Sequence, residues 1–70
     1  MTLNEEQVKK LEELGFEGDG TPWYNPSCYK KTYGFDIYIH VLSTGTIFHN
    51  GIYGNAKAQA DLSALKGVGL

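Results

Sequence analysis

Residues 35–53 read Phe-Asp-Ile-Tyr-Ile-His-Val-Leu-Ser-Thr-Gly-Thr-Ile-Phe-His-Asn-Gly-Ile-Tyr, and the pairing of this stretch with itself decides the fold. From Phe35 to Leu42 the side chains alternate with the two-residue period of a half-buried strand. Phe35, Ile37, Ile39 and Val41 share one face; Asp36, Tyr38, His40 and Leu42 share the other. Ser43-Thr44-Gly45-Thr46 marks a hairpin turn, and Ile47 to Tyr53 returns as a second strand. If the turn centres on Thr44-Gly45, Ser43 opposes Thr46, Val41 meets Phe48, Ile39 meets Asn50 and Ile37 meets Ile52. A three-residue loop would instead set His49 among the isoleucines and put Phe48 outside. The first register is the expected one, because a fully buried Phe contributes roughly 1.5–3 kcal/mol and His is then left in water.

Upstream, Cys28 to Tyr33 is rich in β-formers and predicts a further strand, with Tyr33-Gly34 as a turn or bulge. Residues 17–27 hold two glycines and two prolines and are expected to be a loop. Trp23 and Tyr24 within it are read as closing one end of the core. The spacing predicts a helix over 5–14. Asn4 is a good N-cap, Gln7 completes a capping box, and Leu3 with Val8 forms a hydrophobic staple. Glu5-Lys9 and Glu6-Lys10 are favourable i,i+4 pairs. Val8, Leu11 and Leu14 form an apolar stripe, and Gly15 supplies the left-handed stop with Phe16 folding back on Leu11. A last helix opens at the N-cap Asn55, carries Ala58, Leu62 and Leu65 inward, and is expected to stop at Gly67. The fold class is therefore α+β: α-β-β-β-α, a three-stranded antiparallel sheet with two helices on one face, in a single compact domain over 1–70.

Composition narrows the function. A chain of 70 residues with one cysteine has no disulfide to lean on. One Cys and two His supply at most three soft ligands, so no structural zinc and no other cofactor is expected. The net charge of −2, from six basic and eight acidic residues, has the wrong sign for gripping phosphates. No apolar stretch approaches the roughly 20 residues that span a bilayer, and the start Met-Thr-Leu-Asn-Glu-Glu is unlike a secretory signal. A soluble, cytoplasmic protein with a reduced Cys28 is expected.

The order α-β-β-β-α is similar to that of double-stranded-RNA-binding domains. The likeness is one of topology. Those domains open the last helix with a lysine cluster, whereas this chain reads Asn55-Ala56-Lys57-Ala58-Gln59. A nucleic-acid-associated role through Lys30, Lys31, Tyr29 and Tyr33 is thus the second reading.

No catalytic set emerges. Cys28 lacks a visible base and orienting partner, and Glu17-Gly18-Asp19-Gly20 lacks the spacing of a calcium loop. In the expected register His40 and His49 are opposed, near enough to touch one ion or to repel when both protonate near pH 6. Two histidines filling space is the default. What remains is a sheet face carrying Tyr38, His40, Leu42, Ile47, His49 and Tyr53, which either meets a partner or is covered by loop 17–27. Contiguous exposed apolar groups with tyrosines mark interaction sites. The leading expectation is a non-catalytic module that binds a protein partner through these six residues and sterically occludes it as an inhibitor. Small proteins of bacteriophages and mobile elements, anti-defence inhibitors among them, offer the analogy. A homodimer through the same face is compatible with this reading.

Overall fold

A computed structural model describes residues 2–19 and 27–70. The fold is α+β, with an antiparallel sheet of four strands rather than three. Helix α1 spans Glu5–Glu13, β1 Glu17–Gly18, β2 Cys28–Gly34, β3 Ile37–Leu42 and β4 Ile47–Asn50. A 3-10 turn at Ile52–Gly54 leads into α2, Ala56–Gly67. The sheet order is β1-β2-β3-β4.

Helix α1 starts as its sequence dictates. Asn4 Oδ1 accepts from Gln7 N–H at 2.8 Å, and Gln7 Oε1 accepts from Asn4 N–H at 2.9 Å, closing a capping box. Its end is a Schellman motif. Phe16 N–H donates to Leu11 O and Gly15 N–H to Glu12 O, with Gly15 at φ +85°. Its side-chain ion pair is Lys10–Glu13 at 3.2 Å, on a more exposed flank.

Helix α2 is capped by Asn55 Oδ1, which accepts from Ala58 N–H. The glycine that ends it is Gly69 at φ +90°, not Gly67, which stays helical. Leu70 N–H reaches Leu65 O and Gly69 N–H reaches Lys66 O, a second Schellman arrangement. Gly67 lies two residues too early to take that position.

Three further expectations are corrected. The segment after α1 is not all loop, because Glu17 and Gly18 pair with Lys30 and Tyr29. Asp19 extends that pairing, its N–H donating to Cys28 O and its carboxylate accepting from Cys28 N–H at 2.8 Å. Phe35 is not in a strand. It sits with Asp36 in the turn between β2 and β3, where Asp36 adopts the left-handed φ of +60°. The final strand stops at Asn50, and Gly51 at φ +67° redirects the chain into the 3-10 turn. The reading of Trp23 and Tyr24 lies outside the described residues, as does the question of whether the 17–27 loop covers a sheet face.

The β3–β4 register is the correction that matters most. Tyr38 pairs with Asn50, Ile39 with His49, His40 with Phe48 and Val41 with Ile47. Leu42 N–H bonds Thr46 O, and Gly45, at φ +94°, donates to Leu42 O. The loop is therefore Ser43-Thr44-Gly45, three residues with glycine in the left-handed third position. Turn geometry, not the preference for burying Phe48, fixes the register.

Tyr29, Ile39 and Val41 point to one side of the sheet and join Leu11, Phe16, Ile52, Ala58 and Leu65 in a buried core. Gly51 is required where it stands. A Cβ there would lie 3.1 Å from Asp36 O and 3.2 Å from Ile37 Cγ1, besides the positive φ. Gly51→Ala is expected to cost about 1–2 kcal/mol, read as a lower urea midpoint at unchanged slope. An unaltered midpoint would contradict this packing.

Candidate functional site

The side of the sheet opposite the core is assembled by alternation along each strand. One transverse row runs Glu17, Lys30, His40, Phe48; the next holds Thr32, Tyr38 and Asn50; Cys28 stands beside Leu42. Directly opposed side chains have Cβ atoms about 4.5–5.5 Å apart, so each row is continuous. Tyr38 and His40, two residues apart on one strand, bring their rings to 4.5 Å between centroids, tilted by 33°. Tyr38, His40 and Leu42 are half-buried by their neighbours, while Phe48 remains 54% exposed.

The six residues singled out in the sequence are thus divided. Tyr38, His40 and Leu42 share the outer face. Ile47 and His49 lie on the other side, paired with Val41 and Ile39. Ile47 packs against the core, whereas His49 stays exposed on the edge strand even though its face is the inner one. Tyr53 falls beyond the sheet in the 3-10 turn, 84% exposed, with its ring edge-on to His49 at 6.3 Å. His40 and His49 are consequently on opposite faces. They share no ion and do not meet as like charges. Among the described residues no group of three or more His, Cys, Asp or Glu is placed to hold a metal.

Phe48 is the outer-face residue that the sequence reading assigned to the core. The signal that locates it is Gly45, the third residue of its loop rather than the second of a two-residue turn.

The most charged cluster lies inside the molecule. Asp61 of α2 is 1% exposed. Its Oδ2 accepts from Lys31 Nζ at 2.7 Å and from Tyr33 Oη at 2.5 Å, and its Oδ1 lies 3.4 Å from Lys57 Nζ. Lys31 Nζ also donates to Leu14 O at 2.6 Å, just past the last turn of α1. One carboxylate thereby ties α2 to β2, and its lysine ties both to α1. Burial works against the charged carboxylate, but the hydrogen bonds from Lys31 and Tyr33 and the charge of Lys31 outweigh it and hold its pKa below the ordinary value. Burial, then the hydrogen bond to Asp61 and its negative charge, push the Tyr33 phenol far up. Among the described residues every buried side-chain polar atom has a partner, so this cluster is closed on itself.

Cys28 is half-buried, its thiol pushed up by burial and by Asp19 in spite of Lys30. A thiol held protonated is a poor nucleophile. Lys31, needed by the nucleic-acid reading, is occupied by Asp61 and Leu14, and it points to the opposite face from Lys30.

No protein-family model, curated protein or solved structure matches this chain. No helix among the described residues is long and apolar enough to cross a membrane.

Proposed function

We propose that this protein is a non-catalytic module that binds a partner protein through the outer sheet face of Tyr38, His40, Leu42 and Phe48, and acts by occluding it. The observation that carries this is Phe48: an aromatic ring more than half exposed, directly across from His40 and continuous with the Tyr38–His40 pair. The core draws on the opposite side of the sheet, so neither α1 nor α2 needs these side chains for its own packing. Exposed aromatic and apolar groups that are contiguous, rather than scattered, mark contact surfaces. Tyrosine and histidine fit such a surface because each packs a ring while keeping a polar atom in water. The polar groups that could do chemistry support the same reading from the other side. Asp61, Lys31 and Tyr33 saturate one another inside the fold, and the one thiol is held protonated.

The test is affinity capture from the native host with wild-type protein, Phe48→Ala and Tyr38→Ala, followed by binding and activity measurements on the purified partner. Both substitutions are expected to weaken binding at least tenfold while moving the melting temperature by less than about 4 °C. Stoichiometric addition of the wild-type protein is expected to suppress the partner's activity. Binding unchanged by both substitutions would refute the role of this face.

A further inference from the structure

The turn between β2 and β3 presents Phe35 at 99% exposure. A lone exposed apolar side chain is ordinary and argues nothing by itself. This one is carried on a turn whose next residue, Asp36, is held by its neighbours. Asp36 beside it is held at φ +60°, a conformation that Asp tolerates better than most side chains. Asn50 Nδ2 donates to Asp36 O at 2.6 Å, clamping the turn to β4. Gly51 abuts that same carbonyl so closely that a Cβ would come within 3.1 Å of it.

We propose that Phe35 is an anchor that enters an apolar pocket with a cationic rim on a protein partner. The inference rests on the reading of this protein as a protein-binding module. Size is the first argument. Strands of two, seven, six and four residues, at about 3.3 Å per residue and about 4.8 Å apart, give an outer face of about 300 Å², well under half the 800 Å² per partner of a standard interface. A second contact is needed, and an aromatic ring burying about 150–250 Å² supplies much of it. Preorganisation is the second. The backbone of a braced turn has little freedom left to lose on docking, and interface anchors are typically aromatic groups seated in pockets. Charge selects the occupant. The turn's own charge is that of Asp36, in a chain of net charge −2, so anionic headgroups and phosphates are repelled where a cationic protein rim is attracted.

The experiment places the photoreactive p-benzoyl-phenylalanine at position 35, and separately at position 48, in protein expressed in the native host. After irradiation the captured species is identified and the crosslinked peptide mapped. That protein is then purified and its Kd measured with wild-type, Phe35→Ala, Phe35→Leu and Asp36→Asn. Position 35 is expected to crosslink to an apolar pocket. Phe35→Ala should weaken binding at least about 30-fold, and Phe35→Leu markedly less. Asp36→Asn should reduce the salt dependence of binding. Crosslinking of position 35 to lipid, to nucleic acid, to a second copy of this chain or to nothing overturns the inference, as does a Kd for Phe35→Ala within threefold of wild type. If position 48 captures a protein whose affinity falls with Phe48→Ala but not with Phe35→Ala, the anchor is wrong and the outer-face reading stands. Silence at both positions refutes both.

Discussion

Asp61→Ala is expected to remove a large part of the stability of the fold. Removing one partner of a buried ion pair costs about 3–5 kcal/mol, because the charge left behind loses its compensation. Here that charge is Lys31, with its side chain only 20% exposed. At about 0.05–0.15 kcal/mol per residue, a chain of 70 residues has roughly 3.5–10 kcal/mol in total. The loss therefore takes from about a third to all of it. Restoring neutrality with Lys31→Met and Asp61→Leu together should recover most of the stability, since an apolar replacement of a whole buried pair is often close to neutral. Circular dichroism with urea titration of both variants decides the matter; a single variant as stable as wild type would show that the cluster contributes little.

The same carboxylate fixes a pH dependence. Its folded pKa lies below the unfolded value of about 3.9, so its contribution is complete above that value and is lost as pH falls through the lower folded one. Wild-type protein should weaken steeply below about pH 4, and the Lys31→Met, Asp61→Leu variant less steeply.

The second large effect separates the two sides of the sheet. Ile39→Ala is expected to cost about 2–5 kcal/mol, because Ile39 has no exposed surface and its truncation leaves a cavity among Leu11, Val41 and Leu65. Phe48→Ala should cost less than about 0.5 kcal/mol. The reverse pairing, with Phe48 inward, predicts a loss of about 3–5 kcal/mol for Phe48→Ala. Chemical denaturation of the two variants distinguishes these outcomes directly.

Local chemistry was legible from the sequence wherever one residue type has one job. The Asn4–Gln7 capping box, the Gly15 stop with Phe16 and the Asn55 cap all stand where composition and spacing put them, and the strand expected over Cys28–Tyr33 runs one residue further, to Gly34, through a register shift at Tyr33. What depends on turn count was harder to read. One extra residue in the Ser43–Gly45 loop shifts β4 by one position and reverses every side chain on it, because the side-chain period of a strand is two. That single shift sent Phe48 outward, carried Ile47 and His49 to the inner side, and parted His40 from His49. A similar miscount placed Phe35 in a strand, where Asp36 in the left-handed region instead closes a turn. The buried Asp61 had no local signature at all. In sequence it sits on a helix with an i−4 lysine, Lys57, the pattern of an exposed surface pair; its main partners are 28 and 30 residues away.

The measurement closest to the heart of the matter is a nuclear Overhauser spectrum of the wild-type protein over residues 38–50. Cross-peaks from the Phe48 ring to His40, together with cross-peaks from His49 to Ile39, are the expected result. Contacts from the Phe48 ring to Val41 and Leu65, with His40 facing His49, would place that ring in the core and leave no aromatic outer face for a partner to meet.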